Sequence, residues 1–354
     1  MYDRYTGVAR PTKRAGFNSG ETDLAGIGYQ NNWLLFQFGR GRQSWGAGNN
    51  IQLALSEDSP AYDYGMIHLD FGKIRVRYFH GFLENRELII NRYITGRGIE
   101  WSNLKDMVFS LSETVIYSGE NRPIDISYIN PISTHLEIEF NNRQNRSGSS
   151  SGNGVWQVSL DWLIKNNIRF SGNILFDEFV LDKVQKDENK EHGIAYSCRI
   201  SYSPVINESS VITTFFSFIK VGTPTFRHSD GNNNFIQRGK PLGWMYGSDG
   251  REYSIGINYF NLKNLITNLK FGYFQTGDED IRYNSYQEYY DYIKGDFPSG
   301  KIKNSFIINK GIQWWWKPHI SIFCDLGLID SFTKDPKAHA QIGLDIYFPK
   351  NLNI

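Results

Sequence analysis

Trp156-Gln157-Val158-Ser159-Leu160-Asp161-Trp162 alternates large apolar and polar side chains at every second position. Successive residues of a β-strand point to opposite faces of the sheet, so this stretch makes a strand with one apolar and one wet face. A helix would scatter the same four apolar residues around its circumference. The rhythm recurs at about 22-29, 33-41, 64-71, 73-83, 97-101, 106-117 and 134-142 before this segment. After 154-164 it returns at about 167-179, 192-203, 209-221, 251-261, 266-276, 302-314, 318-330 and 337-349. Apolar residues at 3.6 spacing are not sustained over three turns anywhere, so no helix is expected.

Many of these segments reach the nine to eleven residues that a tilted strand needs to cross a bilayer. Short polar connections, such as Lys165-Asn166-Asn167, alternate with long ones, such as Asn142 to Gly154 and Gly222 to Gly250. Tight turns at one end and elaborate loops at the other are the habit of membrane barrels. The expectation is all-β: one transmembrane antiparallel barrel of about 16-18 strands, spanning the chain as a single domain.

The chain has 354 residues, of which 40% are hydrophobic and 15% aromatic. Mean hydropathy is -0.46. No run approaches the length a spanning helix requires, but a barrel strand turns only every second residue to lipid and stays polar on average. Lys+Arg number 38 against 37 Asp+Glu, which leaves no basic footprint for nucleic acid. Cys198 and Cys324 both fall on the apolar phase of non-neighbouring strands and read as small apolar filler, not as a disulfide.

The wet phases carry the candidate chemistry. Lys73, Arg75 and Arg77 share one strand face, and His135, Glu137 and Glu139 share another. Both rows are expected to face the lumen, where opposite charges can pair at less cost than in lipid. The acidic row lacks a partner cluster, so no metal is assigned. There is no nucleophile elbow, Walker sequence or His-Glu-x-x-His, and Asp177-Glu178 would point to opposite faces and could not flank one glycosidic bond. No catalytic residue and no cofactor is expected.

Three loops combine glycine, aromatic and charged residues. Gly39 to Asn50 holds Arg40, Arg42 and Trp45, and Gln237 to Gly250 holds Arg238 and Trp244. Tyr286, Tyr289, Tyr290 and Tyr292 lie between Tyr283 and Phe297 among Asp, Glu and Gln. Flat apolar rings beside hydrogen-bond donors suit sugars, but rim turns with interfacial tryptophans, or loop-packing tyrosines, would look the same. Trp314-Trp315-Trp316 reads as part of an interfacial aromatic girdle.

Gly41-Arg42-Gln43-Ser44-Trp45-Gly46-Ala47-Gly48, Asn130-Pro131-Ile132, Leu175-Phe176-Asp177-Glu178-Phe179 and Gly239-Lys240-Pro241-Leu242-Gly243 together resemble the Wzi-like capsule-assembly family, from about residue 33 to 349. The resemblance implies a monomeric β-barrel in the outer membrane of a Gram-negative bacterium. Its role there would be to hold capsular or other surface polysaccharide as a non-catalytic lectin, in contact with outer-membrane lipid and with capsule export or assembly machinery. Two departures accompany it. Met1-Tyr2-Asp3-Arg4 is not a signal peptide, so an export signal and a further N-terminal segment are expected to precede it. Phe348 is followed by Pro349-Lys350, whereas barrel strands of this kind usually finish on a terminal aromatic. A porin-type channel and a soluble β-rich carbohydrate-binding protein remain as alternatives.

Overall fold

The computed structural model describes residues 13–14, 17–18, 25–85, 89–141, 143, 152–178, 183–229, 231–279, 281–282, 295–330 and 336–346. A two-stranded ribbon, β1 (Lys13–Arg14) and β2 (Phe17–Asn18), precedes the wall. The wall opens with β3 (Ala25–Gln30), β4 (Leu34–Gly41), β5 (Tyr62–Asp70), β6 (Ile74–Phe82), β7 (Ile90–Ser102) and β8 (Met107–Glu120). It continues through β9 (Asn153–Lys165), β10 (Ile168–Glu178), β11 (Gly193–Ile206) and β12 (Val211–Val221). A two-residue ribbon, β13 (Ile236–Gln237) with β14 (Lys240–Pro241), interrupts it before β15 (Gly250–Phe260), β16 (Leu265–Thr276), β17 (Lys303–Lys317), β18 (Ile320–Asp330) and β19 (Lys337–Ile346). The wall is one 15-stranded antiparallel sheet in which chain neighbours pair in order from β19 to β3. That is the up-and-down meander of a β-barrel, in which hairpins supply every connection.

Register carries the alternation from strand to strand. Trp162, Leu160 and Val158 of β9 stand opposite Phe170, Gly172 and Ile174 of β10 on one side, and Met107, Phe109 and Leu111 of β8 on the other. The outward face of these three strands is thereby apolar along this stretch. Trp33, Trp101, Trp162, Trp314 and Trp316 are exposed along the short-turn end, while Tyr196 and Tyr253 are exposed and Tyr273 half-buried nearer the loops. Two aromatic girdles bound a lipid-facing band in this way. On β17 the belt runs from Trp314 to Phe306, which at a rise of roughly 3.3 Å per residue and a tilt of about 40° is about 20 Å of height.

One expected strand is a helix. Within the strand expected at 134-142 lies α2 (His135–Phe140), after α1 (Ile126–Ile129), and α3 (Lys183–Asp187) lies between β10 and β11, so the expectation of no helix is corrected as well. The Thr134 hydroxyl accepts the Glu137 N–H at 3.3 Å, a helix-capping bond between residues three apart. His135, Glu137 and Glu139 therefore form no lumen row. Leu136, Ile138 and Phe140 alternate in sequence, but the helix buries Ile138 and exposes the other two.

The barrel interior is not uniformly wet. At the loop end Phe79, Ile94, Ile116, Val155, Leu175, Ala195, Ile219 and Val221 point inward and pack on Ile51, Leu53, Leu55, Phe226, Phe235 and Leu242 from two connections. The principal hydrophobic core thus lies inside the wall.

Candidate functional site

The β4–β5 and β12–β15 connections fold into the loop end of the lumen and bond to each other. Trp244 N–H donates to the Leu53 carbonyl at 3.1 Å, Ser56 N–H to the Leu242 carbonyl at 2.8 Å, and Ser56 Oγ–H to the Gly243 carbonyl at 2.7 Å. No side chain fits at Gly243, where an added Cβ would stand 1.7 Å from the Leu53 carbonyl oxygen. The two loops meet backbone to backbone there.

Polar wall residues meet the carbonyls and amides that this packing removes from water. Asn173 of β10 accepts the Ala47 N–H at 2.7 Å and donates to the Ala47 and Ile51 carbonyls at 3.0 and 3.3 Å. Ser197 of β11 donates to the Ile51 carbonyl at 2.6 Å, and Arg199 to the Asn49 carbonyl at 3.0 Å. On the second loop, the fully buried Arg92 of β7 donates to the carbonyls of Asn232, Asn234 and Ile236. Asn153 donates to the carbonyls of Arg227 and Asn233. Asp249 closes the loop's end, accepting from Thr223 Oγ1, from Ser299 and from the Glu279 N–H.

The candidate residues separate by location. Trp45 is 7% exposed and Trp244 4% exposed, so both are packing residues of the filled lumen and offer no open platform to a sugar. Trp45 donates to Gln43 Oε1 at 3.1 Å and meets the Phe79 ring edge-on, while Trp244 donates to Glu252 Oε2 at 3.0 Å. Arg42 donates to the Ser59 carbonyl at 2.8 Å inside the first loop. Arg40 sits at the loop-end rim, 3.2 Å from Asp63. Arg238 lies at the tip of the β13–β14 ribbon with Lys240 exposed beside it, and its N–H donates to Glu84 Oε1 at 2.6 Å. Tyr286, Tyr289, Tyr290 and Tyr292 lie outside the described residues.

Arg75 and Arg77 face the lumen near the short turns, whereas Lys73 is in the exposed β5–β6 turn. Arg75 pairs with Glu100 at 2.7 Å and Asp70 at 3.2 Å on the adjacent strands. His135, Glu137 and Glu139 sit on the outside of the wall; Glu137 pairs with Arg143, and Glu139 lies 3.4 Å from His135.

What remains of the lumen is polar. A cavity of about 320 Å³ is lined by Asn49, Asn258, Asn268, Asn309, Arg199 and Lys270 among others, and one of about 570 Å³ shares Asn49, Arg199 and Asn258 with it. These amides escaped attention in the sequence, although Asn258, Asn268 and Asn309 all occupy the phase opposite the apolar belt. Among the described residues no cluster of His, Cys, Asp and Glu could hold a metal.

Comparison with known proteins places the fold. No protein-family model matches the chain, and no match was found among curated proteins. Among solved structures the chain is similar to Wzi of Escherichia coli, described as an outer-membrane protein involved in group 1 capsule assembly and a carbohydrate-binding β-barrel. The TM-score is 0.67 at 12% identity, over 91% of this chain and 69% of Wzi. Weaker likenesses include OpdQ of Pseudomonas aeruginosa, with a TM-score of 0.49, 7% identity, and 92% and 80% of the two chains covered. A BenF-like porin of Pseudomonas fluorescens scores 0.47 at 7% identity, with 91% and 76% covered. The chain has the Wzi-like fold of an outer-membrane β-barrel.

Proposed function

We propose that this chain is a non-catalytic barrel of the bacterial outer membrane that binds surface polysaccharide at its loop end and does not conduct solutes. The observation that carries the reading is the lumen, filled by two of the barrel's own loops, whose Ala47, Ile51, Asn232 and Asn234 backbone groups are met by Asn173 and Arg92 of the wall. Such matching favours a closed state, because lifting either loop would expose apolar core and break bonds to Asn173, Ser197 and Arg92. The carbohydrate binding described for Wzi supports polysaccharide as the ligand class. Arg40, Arg238 and Lys240, at the loop-end rim, are the described residues best placed to meet a glycan. Capsule export or assembly machinery is the fitting protein partner, and a monomer the fitting state.

Two measurements test this reading on the purified protein. In planar bilayers it should give no steady conductance. Labelled capsular polysaccharide should bind to it and be released by the double substitution Arg238→Ala and Lys240→Ala. A steady open channel whose ion preference changes on Arg75→Glu would replace this function with that of a porin.

A further inference from the structure

In the connection between β8 and β9, residues 124–141 lie against the outside of the barrel. Phe79, Ile94 and Ile116 point into the lumen, so their strand neighbours Tyr78, His80, Tyr93, Thr95, Arg97, Glu113, Val115 and Tyr117 point outward. That outward patch is polar. Arg97 and Glu113 form an ion pair at 3.1 Å, and both are buried. The cover is supplied by α1 and α2: Tyr128 stacks on Tyr117 at 4.3 Å, and Ile138 completes a small core with Tyr93, Val115, Tyr117 and Tyr128. The cover also bonds to the wall. His135 N–H donates to Glu113 Oε1 at 3.0 Å, Arg97 donates to the Asn130 carbonyl at 3.1 Å, and the Tyr78 hydroxyl to the Tyr128 carbonyl at 3.3 Å.

Depth along the wall gives this cover its meaning. Arg97 and Tyr93 lie four and eight residues up β7 from the exposed Trp101 of the short-turn girdle. At about 2.5 Å of height per residue, the patch lies roughly 10 to 20 Å above that girdle, within an apolar band about 25 Å tall. Uncovered, Arg97 and Glu113 would face acyl chains. The opposite side of the cover is apolar: Ile126 is 81% exposed, Ile132 85% and Phe140 80%, with Leu136 exposed as well. Below it the wall shows Ile99, Leu111 and Phe109, also exposed. The apolar belt therefore continues from the strands onto the cover without a polar gap.

Resting on the reading of the chain as an outer-membrane barrel, we propose that residues 124–141 form an in-plane strap whose Ile126, Ile132, Leu136 and Phe140 insert among the acyl chains of the outer leaflet. The strap replaces a polar stretch of wall with an apolar one in the loop-side half of the lipid-facing band. Its own polar groups suit that boundary, since Asn130, Ser127 and Asn141 satisfy neighbouring backbone groups. Glu137 and Arg143 pair at the edge that meets the headgroups.

Spin labels test this in the whole protein, reconstituted into dimyristoylphosphatidylcholine vesicles at neutral pH. Labels at Ile132→Cys and at Phe140→Cys, each in a Cys198→Ser, Cys324→Ser background, should collide more with oxygen than with a water-soluble nickel chelate. A label on native Cys324, which lies on the outward phase of β18, provides the reference for the belt. Heat-modifiable gel mobility verifies that each labelled protein is folded. Preference for the nickel chelate at 132 and 140, with Cys324 still favouring oxygen, would overturn the strap and leave the barrel standing. Protection from both reagents together with dipolar broadening between labels would assign the face to a second copy and also overturn it. Nickel preference at Cys324 as well would remove the barrel reading itself.

Discussion

Replacing Arg92 with leucine should unlatch the second lumen loop. The guanidinium is fully buried and donates to the carbonyls of Asn232, Asn234 and Ile236, the last two at 3.0 Å. Hydrogen bonds to a charged donor contribute about 1.5–3 kcal/mol each, and the low end applies because the freed carbonyls regain water once the loop lifts. Three of them give about 4.5 kcal/mol, which is on the order of a thousandfold in the opening equilibrium of the loop. Amide exchange reads this directly. The Phe235 N–H, bonded to the Phe226 carbonyl at 3.1 Å, and the Leu242 N–H, bonded to the Phe235 carbonyl at 3.0 Å, should lose about a thousandfold of their protection. Wall amides of β9 to β11 should keep theirs. Planar-bilayer recordings of the same variant should show openings absent from the native protein. Unchanged exchange at Phe235 and Leu242 in a folded Arg92→Leu barrel would refute the reasoning that this residue latches the loop.

Gly243→Ala should cost about 2–3 kcal/mol, because a Cβ there would stand 1.7 Å from the Leu53 carbonyl oxygen and neither backbone can yield cheaply; the shift in the urea midpoint measures it. Lys310 is exposed on the outward phase of β17, opposite Leu269 and Leu326 and midway between Trp314 and Phe306. Lys310→Leu should therefore raise stability in lipid vesicles by about 2–4 kcal/mol, and no gain would mean that the ammonium reaches the headgroups.

Wall strands were legible because lipid and the pleat impose a strict period of two, and the rows through Val158, Leu160 and Trp162 obey it across three strands. Residues 134-142 misled for a specific reason. Leu136, Ile138 and Phe140 alternate like a strand, and the competing signal, Thr134 three residues before Glu137, is a short local cap that a period search overlooks. Trp45 and Trp244 lie in loops as the sequence predicts, but packed inside the lumen and not on an open platform. Aromatic residues beside glycine serve equally as a sugar platform or as core, and nothing local says that a loop turns back into the barrel.

The antiparallel wall, its apolar belt and the end at which the long loops gather are written in the chain, because they follow from side-chain period and turn length between sequence neighbours. Tertiary structure alone decided what fills the lumen and what covers the wall. Asn173 meets Ala47, Arg92 meets Asn234, and Glu113 meets His135 across long separations in the chain. Buried polar groups find partners by proximity in space, and only the closed fold sets that proximity.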